Sequence, residues 1–120
     1  MSKGGGDRDL FLKRSRDIEH AKKHGRRIST AFFNMMICAT DVSASRVGIV
    51  VGKRFGGAVS RNRVKRLFRE LTRQLRGQML PGHDLVVFPK RDSIAQPFAV
   101  LKEVWVSSLQ RQKLLRVHED

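Results

Sequence analysis

A single α+β domain, in which a small sheet packs against helices, is what this sequence predicts, and three observations carry that expectation. The chain has 120 residues, a length that suits one core. Its apolar residues fall into short clusters whose spacing is strand-like in some segments and helical in others. Strands and helices alternate late in the chain but not early, and no internal repeat or second core is visible. The folded part is placed at residues 10–116. Residues 1–9, with Gly4-Gly5-Gly6 among charged residues, read as a mobile tail, and residues 117–120 as a charged end.

The first helix is signalled by Ser15 as cap, Asp17 and Glu19 in the opening turn, Lys22 and Lys23 in the last turn, and Gly25 as a left-handed terminator. Residues 31–39 read as a strand, with Phe33, Met35 and Ile37 on one face and Phe32, Asn34, Met36 and Cys38 on the other. After a turn at residues 41–45, residues 46–53 form a second strand. It is nearly continuous in apolar residues and therefore expected to be central and covered on both sides. Residues 52–58 connect it to the longest basic segment, residues 60–76, which Gly77 stops. Pro81-Gly82 makes a turn before a third strand at residues 84–88. Residues 89–96 are loop, and Pro97 opens a helix with Phe98, Leu101, Trp105 and Leu109 on one stripe. The Trp105 indole nitrogen is expected to reach the edge of that stripe.

Charge narrows the function. Lys and Arg number 25 against 11 Asp and Glu, a net charge of +14. Such an excess repels itself in a compact monomer and is best relieved by a polyanion. Nucleic acid comes first, because cations that neutralise phosphates release condensed counterions. A membrane surface comes second, since it would require a broad apolar helix face that so small a chain needs for its own core. No apolar run approaches the roughly 18 to 20 residues that span a bilayer, and residues 1–8 lack an apolar signal core. No membrane role and a cytoplasmic location are expected. The single cysteine, Cys38, permits no internal disulfide and no cysteine metal cage, and reads as a buried thiol.

The basic segment organises itself as a helix. Advancing about 100° per residue from Arg61, Thr72, Lys65, Arg76, Arg69, Asn62, Arg73 and Arg66 share an arc of about 140°. Leu67, Leu71, Val64, Leu75 and Phe68 occupy about 100° on the other side, with Glu70 outside the basic arc. Ser60 is placed as N-cap, and Val59 with Val64 as a hydrophobic staple. Arg61 and Arg63 then stand in the first turn, where the helix dipole disfavours cations. An anion held by the terminal amides and by bidentate guanidinium groups would offset that cost. Lys53 and Arg54, at the end of the preceding strand, would reach the same place. A merely solvated face would mix signs as i, i+4 pairs.

Residues 47–76, VGIVVGKRFGGAVSRNRVKRLFRELTRQLR, closely resemble the signature of the bacterial ribonuclease P protein component. The resemblance is carried by Val47-Gly48, Gly52-Lys53-Arg54, Gly56, Ala58-Val59, Arg61-Asn62-Arg63, Lys65-Arg66-Leu67 and Arg69-Glu70. It extends more loosely over residues 12–115. It implies the protein subunit of a ribonucleoprotein endoribonuclease that removes the 5′ leader from precursor tRNA. The RNA subunit would hold Mg2+ and perform the hydrolysis, with one protein per RNA and no catalytic residue or cofactor on the protein. The implied fold is like the second domain of the ribosomal S5 protein, with a mixed sheet and a left-handed βαβ crossover through the basic helix. Lys53, Arg54, Arg61, Asn62, Arg63, Lys65 and Arg69 match the family's RNA-contacting positions, and Arg66 and Arg73 share their face. The leader would lie between the sheet and the first helix, against Ile18, Lys22 and Met36, where the family usually carries aromatics. Phe32 is the expected substitute.

Other signals are weaker. His20 and His24 are i, i+4 but have no third metal ligand nearby in sequence. Gly52 and Gly57 have P-loop spacing, yet Ala58-Val59 stands where Lys-Ser/Thr belongs. Ser29, Ser60, His83 and Asp84 read as caps, turns and strand ends rather than as a nucleophile with its base. A structural ribosomal protein of similar fold and charge is the alternative reading, and a self-sufficient nuclease has no residues to support it.

Overall fold

Residues 33–39 alternate strictly, and the alternation sorts their side chains between two layers. The computed structural model describes residues 10–116; the tail expected at 1–9 and the charged end at 117–120 lie outside the described residues. Among the described residues the chain runs through helix α1 (Ser15–His24), strands β1 (Arg26–Ser29), β2 (Phe33–Ala39) and β3 (Arg46–Ile49), helix α2 (Ala58–Gln74), strand β4 (His83–Pro89) and helix α3 (Phe98–Arg111). The strands form one mixed sheet in the order β1-β2-β4-β3. The β1–β2 and β2–β4 pairs are antiparallel, whereas β3 and β4 are parallel neighbours. A parallel pair requires a crossover, and α2 lies within it.

On one face, Phe33, Met35, Ile37, Val47, Leu85 and Val87 pack with Val64, Phe68 and Leu71 of α2 and Leu101, Trp105 and Leu109 of α3. Phe33, Phe68 and Trp105 meet edge to face, with centroids 5.4–6.0 Å apart. Such pairs add about 0.5–1.5 kcal/mol each beyond area burial. On the other face, Leu12, Ala21, Cys38 and Val86 form a smaller core beneath α1, joined by half-buried Ile18, Met36, Val50 and Phe88. Cys38 is a free, buried thiol.

Several expectations change. Gly25 does not end α1 in a left-handed conformation; its backbone is extended, with φ −79°. Glycine is required there for space, because a Cβ would come within 2.5 Å of the Ala21 carbonyl oxygen. Residues 26–29, with no sequence signal for a strand, form edge strand β1, in which only Ile28 is half-buried. The second expected strand is an edge rather than a central one, and it stops at Ile49. Its apolar continuity comes from cover on both faces: Val47 belongs to the larger core, while Gly48 gives room to Leu12, whose Cβ would lie 3.2 Å from an added methyl. Phe11 bridges Val47 along the outer side, and the Leu12 amide donates to the Val47 carbonyl at 2.9 Å. The Trp105 indole nitrogen is buried without a hydrogen-bond partner rather than reaching the edge.

Candidate nucleic-acid interface

The helix that carries the basic residues opens three residues earlier than its sequence suggests. Gly57 is the N-cap and Ala58 the first helical residue, with no side-chain cap. Ser60 is therefore inside the first turn and is not the cap. The Val59–Val64 staple does not form either, since Val59 is 82% exposed while Val64 is fully buried. The entry is set by glycine instead: Gly56 has φ +155°, a backbone state that side chains disfavour. Arg61 braces this entry from the second turn, its guanidinium donating to the Gly56 carbonyl at 2.6 Å. Neither Arg61 nor Arg63 stands in the first turn, so the dipole cost expected for them is smaller.

Val64, Phe68, Leu71 and Thr72 form the buried face of α2. Thr72 leaves the basic arc because its hydroxyl donates to the Phe68 carbonyl at 2.8 Å, satisfying a polar group in the core. Asn62, Arg63, Arg66, Arg69 and Arg73 are exposed on the opposite side, and Arg61 and Lys65 are half-buried at its margins. Glu70 lies 3.6 Å from Arg73. The Arg73 guanidinium also stands 5.7 Å from the Phe11 ring centroid, so the cationic face continues onto the segment beside β3. Lys53 and Arg54 do not sit on a strand end but on a 3-10 turn, Lys53–Phe55, anchored by buried Phe55. Both are exposed before the entry to α2.

A second candidate surface lies on the other side of the sheet. Lys22, Arg27, Asn34, Met36 and Phe88 line an open groove beside α1. The ladder explains their company: Arg27 is paired with Met36, and Asn34 with Phe88, so these side chains rise from one face. Of the residues expected there, Lys22 and Met36 line the groove. Ile18 packs farther along α1, its Cγ1 3.5 Å from where a Gly48 side chain would start. Phe32 is misplaced by the strand reading. It stands in the β1–β2 connection, where the Thr30 hydroxyl accepts from the Phe32 and Phe33 amides at 3.2 and 3.0 Å. Its ring packs on the larger core, in the layer opposite Met36. Phe88 supplies the aromatic surface instead. Sequence inspection missed it because the last residues of an apolar run look like core; its two-residue alternation from Val86 was the available signal.

Strands β3 and β4 are tied to α1 through a polar junction outside the groove. Arg46 holds Asp84 with two hydrogen bonds of 2.9 Å across the parallel strands, and its other nitrogen lies 3.9 Å from Asp17 of α1. The Asp84 hydrogen bonds raise the Arg46 pKa above its already high ordinary value, burial opposes the rise, and the charges of Asp84 and Asp17 assist it. His20 and His24 stack at 4.6 Å. Among the described residues no group of three His, Cys, Asp or Glu side chains is placed to hold a metal ion.

The comparison with known proteins decides between readings that charge and shape leave open. The model of the family described as Ribonuclease P matches residues 7–113. The chain belongs to the ribonuclease P protein family. Relatives named ribonuclease P protein component include one from Syntrophus aciditrophicus, 33% identical over 104 residues, covering 81% of this chain and 87% of the relative. Another, from Natranaerobius thermophilus, is 28% identical over 107 residues, covering 89% and 93%. The RNase P protein from Thermotoga maritima has a solved structure similar to this one, with a TM-score of 0.76 and 30% identity over 84% of this chain and 96% of that one. An RNase P protein from Staphylococcus aureus shares the fold with a TM-score of 0.81 at 23% identity, covering 90% of this chain and 92% of that one. This ribonuclease P family member thus works in tRNA processing, and a structural ribosomal protein is not favoured. Among its described residues no helix is long and apolar enough to cross a membrane.

Proposed function

We propose that this chain is the binding subunit of a ribonucleoprotein endonuclease whose RNA subunit hydrolyses the 5′ leader from precursor tRNA. The single observation that carries this reading, beside the family match, is the exposed cationic face of α2, behind which Val64, Phe68 and Leu71 are locked in the core. The face is held rigid by packing, so its charges meet the RNA without first being ordered.

In this reading Lys53, Arg54, Arg61, Asn62, Arg63, Lys65, Arg66, Arg69 and Arg73 take phosphates of the RNA subunit. Arginines hold phosphate bidentately, whereas Lys53 and Lys65 act as point charges. The groove of Lys22, Met36 and Phe88 takes the leader of precursor tRNA, with one protein acting per RNA. The protein donates no catalytic group; it shields phosphates and positions substrate, while Mg2+ and the hydrolytic chemistry belong to the RNA. A cytoplasmic site of action follows from that partnership.

Reconstitution tests this. The protein is combined with the catalytic RNA and a precursor tRNA at low magnesium. Stimulated leader removal is expected. Absence of stimulation by a folded protein, or cleavage by the protein freed of RNA, overturns the reading.

A further inference from the structure

Between the segment that precedes α1 and the cationic helix lies a pocket of about 250 Å³, which shares no residue with the groove beside α1. Pockets for drug-sized ligands run to roughly 300–1,000 Å³, so the occupant of this one is small. Phe11, Leu12, Val47 and Ile49 give it apolar walls, and three exposed cations, Lys13, Arg69 and Arg73, converge on it. Among the described residues no carboxylate lines it. The residues four before and four after Arg69 are Lys65 and Arg73, like-charge spacings that destabilise a helix. Folding gains nothing from this convergence, whereas a bound anion would offset it.

Two further features select a planar group carried by that anion. The Arg73 guanidinium stands 5.7 Å from the Phe11 ring centroid, and its other contact, Glu70 at 3.6 Å, is an exposed pair that holds it weakly. A guanidinium can pair with a phosphate at its edge and stack a base on its face. The second feature is a bare strand edge. Phe11 bridges Val47 and the Leu12 amide donates to the Val47 carbonyl, where the cover of β3 ends. The Val50 amide donates to Val87 of β4, so by strand alternation the Ile49 amide and carbonyl point the other way, toward the pocket. A phosphate offers acceptors alone and has no use for that carbonyl. A base edge offers donors beside acceptors and can satisfy both groups.

We infer that this pocket receives one unpaired nucleotide of the RNA subunit, its base on Arg73 and the Ile49 edge and its phosphate between Lys13 and Arg69. The inference rests on the function proposed above and adds a contact that reads RNA shape. A paired base is held in its helix and cannot enter, so the pocket separates a folded RNA with a splayed nucleotide from a uniform polyanion. It lies on the α2 side of the sheet, away from the groove proposed for the leader, which assigns it to the RNA subunit rather than to the precursor.

The test combines the full-length protein with the complete RNA subunit, without precursor, and probes unpaired bases with dimethyl sulfate. Saturating wild type should protect an unpaired base that becomes reactive again with saturating Arg73→Lys or Phe11→Leu. Arg73→Lys keeps the charge at an exposed position and removes the plane. It should bind roughly 5-fold or more weakly with an unchanged salt slope. Trp105 fluorescence verifies that Phe11→Leu is folded. Arg66→Ala, on the same helix face but outside the pocket, should lower affinity and salt slope yet keep the base protected. If Arg73→Lys binds like the wild type or retains every protection, or if protection appears only once precursor is added, the inference is overturned and the proposed function stands. Failure of the wild type to stimulate leader removal by the catalytic RNA would bring down the proposed function itself.

Discussion

Arg46 and Asp84 face each other across the parallel β3–β4 pair and are joined by two hydrogen bonds of 2.9 Å. The carboxylate is almost fully enclosed, with 9% of its side chain exposed, whereas Arg46 retains 24%. Removing one partner leaves the other's charge poorly solvated. Arg46→Ala should therefore destabilise the fold by about 2–4 kcal/mol, toward the lower end of losses for buried pairs because water reaches the guanidinium. Urea unfolding measures it, and a change within 0.5 kcal/mol would show the pair to be worth little. The pH sign is definite. A raised folded-state pKa contributes stability that is complete below the unfolded pKa and is lost only as pH rises through the folded one. Both values lie above the working range, so the Arg46 contribution should stay flat from about pH 6 to 9.

Arg61 and Arg63 should part company under substitution. Arg61 donates to the Gly56 carbonyl and so supports the helix entry, while Arg63 is exposed. Arg61→Ala is expected to cost about 0.5–1.5 kcal/mol of stability as well as RNA affinity. Arg63→Ala should cost affinity alone, and a lost phosphate contact should reduce the salt slope of RNA binding by about 1. Thermal melts paired with salt titrations of binding to the RNA subunit separate the two effects. Equal melting temperatures for both variants would contradict the bracing role of Arg61.

Gly25→Ala should be more damaging than Gly48→Ala. At Gly25 the new methyl would sit 2.5 Å from a backbone oxygen that α1 cannot move, and at Gly48 it would sit 3.2 Å from the Leu12 side chain, which has some freedom. Overpacking costs of about 1–3 kcal/mol are typical. Denaturant midpoints of the two variants rank them directly, and the reverse order would refute the steric account of Gly25.

Trp105 is the sole tryptophan and is fully buried against Phe33 and Phe68. Its fluorescence should report global unfolding, emitting at short wavelength in the native state. Phe68→Ala should destabilise by about 3–5 kcal/mol and red-shift that emission at lower denaturant. An unshifted transition would mean that the three-ring cluster contributes little.

The readable parts of this fold were those in which one physical requirement acts alone. Phe33, Met35 and Ile37 alternate with Asn34, Met36 and Cys38 because β2 divides two cores, and Leu101, Trp105 and Leu109 recur helically because one stripe of α3 is buried. Elsewhere two requirements overlap. Residues 26–29 carry little apolar pattern because an edge strand with one half-buried side chain needs little. β3 looks central because it is covered on both faces, though hydrogen-bonded to only one long neighbour. Ser60 resembles a cap, but Gly56 and Gly57 turn the backbone sooner. The cationic face was legible because like charges at helical spacing have few structural explanations. The groove was not, since Phe88 becomes part of it only when the β2–β4 register sets it opposite Asn34.

The two margins of the sheet are closed by different means. Beyond β3, Phe11 and Leu12 cover the outer backbone; beyond β2, the last strand presents exposed Arg26 and Arg27. Unprotected margins recruit strands from other chains, and cover or charge prevents it. A molecule with this much positive charge must persist alone until it meets a polyanion. Its resistance to self-association in that interval therefore resides in a short covering segment on one side and two arginines on the other. Arg27 also lines the groove proposed to take the leader, so at that margin protection against self-association and recognition of RNA fall to the same side chain.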